Sequence, residues 1–349
     1  MKRTLLFALT GMIILTGCAE EKSTKPTGTE IGQNRQLLTS SLHNTTNGMR
    51  YFYSSANGGI EGLTGISFDA LACRSCHVEP TDCADCHATE AGGGTPEDAK
   101  CLVCHTRQGA EISLGYTDEH RSRGFKCADC HDKSDVHGDG QSHDSMLSAG
   151  AIQADCSNAG CHTISDLPGN IYHSQHVQGS TRIECAACHV QSVVTCYNCH
   201  FESEVQSNQQ VFFGQFRDWK FLVKRGGKVA LANLATITYH GKGMEVLAPY
   251  YAHTVARNAI KSCDDCHDNA AVREYRSSGT ITLVSWDEAN HALVQRTQGI
   301  IPVPGDWKNS LRLSYAGKDE SGSWIHLNDR ADGQQMLFAE PLDAVPHPF

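Results

Sequence analysis

The chain of 349 residues has few aromatic side chains, which make up 7% of it. It also has little positive charge, since 29 Lys and Arg against 39 Asp and Glu give a formal net charge of −10. No segment of the chain carries a stripe of basic residues. This balance argues against a nucleic-acid partner and favours cationic partners or mineral surfaces. Scarce aromatics together with 32 Gly argue against a large conventional core. Something other than apolar side chains must fill part of the interior.

Long apolar runs are missing beyond the first residues, so no later segment is expected to cross a membrane. The first run, residues 5–14, follows two basic residues and precedes Leu-Thr-Gly-Cys at residues 15–18. It predicts an export signal peptide over residues 1–17. The four residues resemble the bacterial lipobox, which implies lipidation of Cys18, and an ordinary cleaved signal with a leftover Cys is the alternative. Residues 18–40, rich in Ser, Thr, Lys, Gly and Glu, predict a flexible tether.

Cysteine and histidine are abundant, with 17 Cys and 19 His. Seven Cys-x-x-Cys-His motifs and one wider Cys-x4-Cys-His motif account for every Cys except Cys18. In chain order, from first to eighth, the motifs are Cys73/Cys76/His77, Cys83/Cys86/His87, Cys101/Cys104/His105, Cys127/Cys130/His131, Cys156/Cys161/His162, Cys185/Cys188/His189, Cys196/Cys199/His200 and Cys263/Cys266/His267.

Each motif is an attachment signal for a c-type haem. Two thiols one turn apart reach the two vinyl groups on one porphyrin edge, and the adjoining imidazole binds the iron. Zinc ribbons, disulfide scaffolds and redox dithiols also use paired Cys at this separation, but none needs His directly after the second Cys. For the fifth motif, a disulfide between Cys156 and Cys161 with an incidental His162 is the alternative. The sequence predicts eight covalently attached haems c, with sixteen Cys as thioether donors and eight His as proximal iron ligands.

Haem iron takes a second axial ligand, and eleven His lie outside the motifs. Met is scarce, so His at both axial positions of most or all haems is the economical interpretation, and it implies low reduction potentials. His291, His326 and His347 are predicted not to bind iron. The candidate distal ligands are the eight that precede the last motif: His43, His120, His137, His143, His173, His176, His240 and His253.

Some candidates have a predicted local setting. His173 and His176 lie three apart after Pro-Gly-Asn, which on a helix puts both on one face, where two neighbouring haems could use them. His253 falls in residues 251–260, which are predicted to be helical. His240 falls in a predicted strand.

The motif spacing predicts a fold class that is mostly irregular and packed around haems, with short helices and loops. Residues 41–205 are predicted as a seven-haem cytochrome region, and residues 206–270 as a β-hairpin insertion plus the eighth haem. Alternating apolar and polar residues at 211–250 predict two or three strands. Residues 271–349 are predicted as a β-rich C-terminal region with strands at 280–286, 311–315 and 323–326.

The motif density resembles that of multihaem c-type cytochromes of anaerobically respiring bacteria, including outer-surface cytochromes of metal-reducing bacteria. In that group, motifs as close as the first and second here hold packed haem pairs, and Cys-x4-Cys-His variants occur. The resemblance covers residues 43–267 through the motifs. It implies electron transfer in anaerobic respiration toward periplasmic or extracellular acceptors, with other cytochromes or a quinol-oxidising complex as partners. Ala19 after Cys18 resembles the outer-membrane sorting signal, which implies a lipid anchor there, facing the periplasm or the cell surface.

Two other functions stay open at this point. Some octahaem relatives reduce nitrite, hydroxylamine or a sulfur oxyanion at one open-site haem. The nitrite-reducing ones often carry Lys in place of the motif His, which this chain lacks, and the chain is shorter than those enzymes. The second alternative is a polymerising cytochrome, in which a His completes a haem in the next subunit of a filament, although a lipid tether argues against it. The sequence favours an electron carrier without catalytic residues.

Overall fold

The computed structural model describes residues 28–71, 83–88, 93–158, 160–177, 182–207, 209 and 211–347. The predicted signal peptide, Cys18 and the first motif (Cys73, Cys76 and His77) lie outside these residues. Within them, no helix has the length and apolar character that a bilayer crossing needs. Short helices and turns dominate up to residue 192, and strands dominate from residue 193 onward.

The helices are α1 Gly28–Leu38, α2 Asn47–Tyr53, α3 Glu61–Thr64, α4 Asp98–Cys104, α5 Thr106–Ser113, α6 Lys133–His137, α7 Ile171–His176, α8 Cys185–His189, α9 Phe201–Ser207, α10 Asp264–His267, α11 Ala270–Ser278 and α12 Trp307–Ser310. Side-chain caps begin three of them: Asp132 for α6, Asn170 for α7 and Asn269 for α11 each accept a hydrogen bond from a backbone N–H of the first turn. The helix predicted for His173 and His176 is confirmed as α7.

The strands are β1 Val193–His200, β2 Phe212–Arg225, β3 Lys228–Tyr239, β4 Lys242–Pro249, β5 Ile281–Asp287, β6 Ala292–Gln295, β7 Gly299–Pro302, β8 Leu311–Leu313, β9 Tyr315–Lys318, β10 Trp324–Asn328 and β11 Gly333–Met336. A six-stranded sheet has the order β11-β4-β3-β1-β2-β7, and β2 also pairs with β3. β5 lies between β6 and β8 in a second sheet, and β9 pairs with β10. The strands predicted near residues 280, 311 and 323 are confirmed.

β2, β3 and β4 form the antiparallel meander that alternation predicted for residues 211–250. Gly226 and Gly227 link β2 to β3 with φ angles of 55° and 76°, the left-handed conformation that tight hairpin turns need. His240 and Gly241 link β3 to β4 in the same way, with φ of 47° and 76°. The placement of His240 in a strand was therefore wrong, because the paired strand ends one residue earlier and this residue lies in an exposed turn.

Strands of all three sheets contribute to the main apolar core. Long strands can supply it because successive side chains project to opposite faces. Its large, fully buried members are Tyr197, Trp219, Phe221, Leu234, Leu247, Ile281, Leu283, Ile301, Leu313 and Tyr315. Residues from 193 onward thus have a protein core of their own.

The six-stranded sheet crosses the predicted region boundaries. β1 begins at Val193, inside the stretch 41–205 that was predicted as a seven-haem cytochrome region. β7 and β11, from the predicted region 271–349, pair in parallel with β2 and β4 of the predicted insertion 206–270. Parallel pairing between distant segments depends on tertiary context, which local sequence patterns do not report.

The seventh motif lies in a strand. Its cysteines, Cys196 and Cys199, lie inside strand β1. Cys196 pairs with Gln215 of β2, and Cys199 pairs with Phe212 of β2 and with Ile237 of β3. The backbone of Cys199 thus has strand partners on both sides.

The helix predicted for residues 251–260 is wrong. This stretch is irregular and tied to the segment that carries the sixth motif: Ala256 N donates to His189 O at 2.7 Å, and the Thr254 hydroxyl donates to Ser192 O at 2.9 Å. Such long-range hydrogen bonds give the backbone partners that helical bonds would otherwise supply. The candidate ligand in this stretch is positioned by tertiary contacts.

Residues 83–192 have little apolar core. In the part of this stretch that the structure describes, the buried hydrophobic residues are Leu147, Ala151, Ala187 and Val190. Several large apolar side chains lie exposed near the motifs instead: Val103, Ile112, Phe125, Met146, Ile152, Ile164, Ile171 and Tyr172. The apolar side chains of this stretch are thus more often exposed than buried.

Candidate haem sites

Regular motifs in the helical part fold as one turn that ends at the histidine. In the second, third, fourth and eighth motifs, the His N–H donates to the carbonyl of the first Cys at 2.7–2.9 Å, and the sixth motif is helix α8. Side chains three and four positions apart share one face of such a turn. Two thiols and an imidazole therefore lie together, as attachment to one porphyrin edge requires.

The wider fifth motif also closes with a hydrogen bond from its histidine to its first cysteine, but over a longer turn. His162 N donates to Cys156 O at 3.1 Å, although two more residues separate them than in a regular motif. Cys161 N also donates to Asn158 O at 2.9 Å. Cys156 and Cys161 are exposed and unbridged, so the alternative of a disulfide between them has no support in the structure.

The seventh motif lies on strand β1, where regular alternation would put the side chains of Cys196 and Cys199 on opposite faces. Asn198 breaks the alternation with a φ of 59°. The Tyr197 hydroxyl donates to Ser314 O, and the Asn198 amide donates to Ala316 O, so both side chains reach the same neighbouring segment. The two thiols are left on the other side. Strand alternation puts His200 on the side opposite Cys199, where its ring lies 6.3 Å from the indole of Trp324 in β10, which pairs with β9.

The two cysteines of the seventh motif differ in exposure. Cys196 is exposed, whereas Cys199 is half-buried. The sheet also holds the backbone of Cys199, because the Thr238 hydroxyl of β3 donates to its carbonyl at 3.4 Å. The predicted thioether role of Cys199 thus stays a prediction, in a strand setting that the other described motifs do not share.

Six motif histidines each face one histidine from outside the motifs. The ring centroids of each pair are 5.9–6.2 Å apart. The pairs are His105–His43, His87–His137, His162–His120, His131–His253, His189–His173 and His267–His176. Six of the eight candidate distal ligands thus lie opposite a motif histidine, and the pairing is one to one.

The separation of these rings is the one that a shared iron would impose. A His nitrogen binds a first-row metal at about 2.0–2.1 Å, and the ring centre lies roughly 1 Å beyond the nitrogen. Two imidazoles on opposite sides of one metal therefore have centres roughly 6 Å apart. The planes of the pairs differ by 23° to 60°, which is compatible because each ring can rotate about the nitrogen–metal axis.

Hydrogen bonds at Nδ1 orient many of these rings. His87 Nδ1 lies 3.0 Å from Gly94 O, and His131 Nδ1 lies 3.1 Å from Asp135 Oδ2. With Nδ1 engaged, Nε2 is the nitrogen left available for a metal, as is usual for metal-binding His. Other acceptors are Ala256 O for His189, His347 O for His267 and Pro168 O for His173. Sequence reasoning missed these acceptors because a backbone carbonyl carries no residue-type signal.

Burial favours the neutral form of several non-motif imidazoles. Desolvation, followed by repulsion from the facing His87, lowers the pKa of His137, and desolvation followed by repulsion from His267 lowers that of His176. The pKa values of His43 and His253 are lowered by burial first and by the facing motif His next. Neutral imidazole is the form that binds metals.

Two candidate distal ligands have no motif histidine opposite them among the residues described. His143 Nε2 lies 3.3 Å from Asp139 Oδ1. The ring of His240 contacts that of Tyr239, with centroids 4.2 Å apart, in the turn after β3. These two remain predictions without structural support.

The three histidines predicted not to bind iron have other surroundings. The ring of His326 stacks on Trp286 at 5.7 Å, and that of His291 meets the same indole at 6.2 Å. His347 contributes a backbone carbonyl rather than a ring to the eighth motif. In the described parts of the chain, none of these rings faces a motif histidine.

Within the described ranges, no three His, Cys, Asp or Glu side chains converge as a metal-ion site such as tetrahedral zinc would need. Comparison with protein-family models, with curated proteins and with solved structures finds no match. The functional assignment therefore depends on the motif turns and the facing imidazoles.

Proposed function

We propose that this chain is an electron-transfer protein with one haem c attached at each of its eight motifs. The six imidazole pairs at 5.9–6.2 Å are the observation that carries the proposal. Bound haem would supply one-electron oxidation and reduction at iron, and axial ligation would set its potential.

The chain's own residues have three roles in this proposal. The paired Cys fix each porphyrin edge, and the motif His and the facing His hold the iron from both sides. Acceptors at Nδ1, such as Gly94 O and Asp135, fix the ring orientation and raise the basicity of the ligand. Rigid ligation of this kind limits structural change on electron transfer, which favours rapid exchange.

Contacts between thiols support a series of neighbouring attachment sites. The thiols of Cys156 in the fifth motif and Cys185 in the sixth shift each other's pKa, which is raised for Cys156 and lowered to about 6 for Cys185. Burial and Asp98 raise the pKa of Cys127 in the fourth motif to about 12, with a smaller contribution from Cys101 of the third. Thiols that interact in this way would bring the attachment edges of successive porphyrins side by side.

Three further thiol neighbours extend the series. These pairs are Cys86–Cys101, Cys130–Cys161 and Cys266–Cys188. In each pair, burial is the largest cause that raises the pKa of the first-named thiol, and the second-named thiol is the next cause that raises it. The neighbouring thiols thus connect the motifs in the order second, third, fourth, fifth, sixth and eighth. A continuous series of this kind is what an electron conduit needs.

Ligation by two imidazoles predicts low potentials, because Met ligation raises the potential of a haem. Met244 is buried in an apolar cluster with Tyr53, Phe68 and Phe201. Electron donors and acceptors are proposed to be other redox proteins or an extracellular acceptor, and lipidation at Cys18 would hold the chain at the outer membrane.

Two measurements test the proposal. Mass spectrometry of the mature protein should find eight covalent haems, and fewer than six would reject it. In stopped-flow reduction, we expect the protein to take up eight electrons without a slow internal step.

Matched variants test the order of the sites. Cys101→Ala with Cys104→Ala removes a site inside the series and should split reduction into a fast and a slow phase. Cys263→Ala with Cys266→Ala removes a site at one end and should lower the electron count by one without a new slow phase. Identical behaviour of the two variants would contradict the proposed series.

A further inference from the structure

Lys220 of strand β2 is the one buried basic side chain in the parts of the chain that the structure describes. It is 4% exposed, and its ammonium donates to the carbonyl of Val190 at 3.2 Å. Little water surrounds this charge, so its field is screened much less than that of a surface lysine. It therefore acts strongly on any redox group that lies near it.

The side chain of Lys220 lies between the sixth and the eighth motif. Lys220 pairs with Ile300 of β7, and Leu222, two residues further along β2, projects from the same face of the strand. These two apolar residues share a cluster with Ala187 of the sixth motif and Cys266 of the eighth. This face of β2 therefore packs against both motifs.

The charges around Lys220 confirm this position. Burial lowers the pKa of Lys220, and four acidic side chains near it raise that pKa: Cys266, Cys188, Asp265 and Asp218. Cysteines that are bound to haem as thioethers carry no charge, so the two aspartates remain as the opposite charges. Both aspartates are only partly buried, so water screens them more than it screens the ammonium.

Buried acidic side chains lie at other motifs of the series. The side chain of Asp135 is 2% exposed, and its Oδ2 lies 3.1 Å from Nδ1 of His131 in the fourth motif. Asp118 is 7% exposed and accepts a hydrogen bond at 2.9 Å from the backbone N–H of His120, whose ring faces the fifth motif. Negative charge is thus buried beside the fourth and fifth sites, and positive charge beside the sixth and eighth.

We propose that Lys220 raises the reduction potentials of the sixth and eighth haems, so that electrons run along the series toward the eighth motif; this inference rests on the proposed function. Reduction lowers the charge of a haem by one, which a fixed positive charge nearby stabilises and a fixed negative charge opposes. At an effective dielectric constant of about 20, one unit charge close to the iron changes the ratio of reduced to oxidised haem on the order of tenfold.

Lys220→Met tests the inference, because it removes the charge and keeps a side chain of similar length. In a spectroelectrochemical titration of the mature eight-haem protein, we expect two midpoint potentials to fall. Each fall should correspond to a change on the order of tenfold in the ratio of reduced to oxidised haem, which is about 59 mV. The EPR spectrum should be unchanged, because no iron ligand is altered. Unchanged potentials in this variant, with eight haems attached, would overturn the inference.

Lys224→Met is the matched control on the same strand. The ammonium of Lys224 is paired with Asp343 at 2.6 Å and with Glu340 at 3.2 Å, and both carboxylates are well exposed. Its loss should change the same ratio by less than about twofold, because solvent screens this charge. An equal fall of the potentials in both variants would attribute the effect to net charge alone and would overturn the inference.

A second measurement needs no change at Lys220. Cys263→Ala with Cys266→Ala removes the eighth haem, and Cys127→Ala with Cys130→Ala removes the fourth. We expect the missing electron to come from the upper half of the potential range in the first variant and from the lower half in the second. An electron lost from the lower half in the eighth-motif variant would overturn the inference, even if Lys220→Met did not assemble. A haem count below six in the unaltered protein would instead reject the proposed function.

Discussion

Residues 83–192 and residues 193–347 differ in what fills their interiors. In the first stretch, four small or medium apolar residues are the buried hydrophobic side chains among those described, and eight large ones lie exposed. In the second, twelve large side chains are fully buried, ten of them in one cluster to which all three sheets contribute. Both stretches carry motifs, yet only the second also has a protein core.

This difference indicates two sources of stability in one chain. Burial of apolar area stabilises the strand-rich part in the ordinary way. The helical part contains five described motifs and the backbone turns that shape them, and in our proposal the attached haems would stabilise it. We therefore expect the two parts to respond differently to loss of haem and to mutation.

The largest effect should follow from producing the chain without haem. We expect residues 193–347 to keep slowly exchanging amides, because their core is made of side chains, and residues 83–192 to lose protection across most of their length. Hydrogen exchange with mass spectrometry would measure this, with the haem-loaded protein as the control. Equal loss of protection in both parts would contradict the comparison.

Phe221→Ala tests the core of the strand-rich part. Phe221 is fully buried, and truncating a buried Phe costs about 3–5 kcal/mol. The control is Ile325→Ala in β10, which is 39% exposed and should change the free energy of unfolding by about 0.5 kcal/mol or less. Urea unfolding of the two variants would show whether this part depends on a close-packed core.

His253→Ala tests one imidazole pair. The ring of His253 faces that of His131 at 6.2 Å, so its loss should convert one low-spin haem to high-spin in EPR. His253→Met should instead raise the potential of one haem in a redox titration. The control is His291→Ala, whose ring faces Trp286; a spin change there would undermine the pairing.

Glu245→Gln should have the smallest effect. Burial raises the pKa of Glu245, although Tyr315 and Gln334 donate hydrogen bonds to its carboxylate. A raised pKa adds stability below the unfolded value of about 4.3 and loses it as pH rises through the folded value. Glu245→Gln should therefore remove a decline in unfolding free energy between acidic and neutral pH.

Glu61→Gln provides the contrast of opposite sign. The pKa of Glu61 is lowered by hydrogen bonds from the backbone N–H and hydroxyl of Ser55, so its carboxylate adds stability above the unfolded pKa. We expect this variant to be less stable at neutral pH and unchanged in acid. Unfolding curves at both pH values would compare the two; shifts of the same sign would contradict the assignments.

The sequence predicted the motifs and the set of facing histidines better than their pairing. His173 and His176 could be placed on one helix from a local pattern, but their different partners, His189 and His267, depend on how distant segments meet. Among the described residues, His240 faces no motif histidine, because it lies in the turn that begins directly after β3 ends at Tyr239. Such details are decided by tertiary structure.

The strand predictions show the same limit. The meander β2 to β4 follows from alternation and glycine turns, which are local signals. The seventh motif lies in β1 because Val193, Val194 and Thr195, all β-branched, lead into it. The spacing of the motif is the same as in the helical ones, so it could not show that Cys199 lies in a sheet. Parallel pairing of β7 and β11 with this sheet has no comparable signal.

The Nδ1 acceptors imply an order in which the motif imidazoles can be oriented as the chain is synthesised from its N-terminus. His131 is oriented by Asp135, four residues later, and His87 by Gly94, seven residues later. His189 depends on an oxygen 67 residues later and His267 on one 80 residues later. The second and fourth imidazoles can be aligned as soon as a short stretch has been made, whereas the sixth and eighth must wait for much more of the polypeptide.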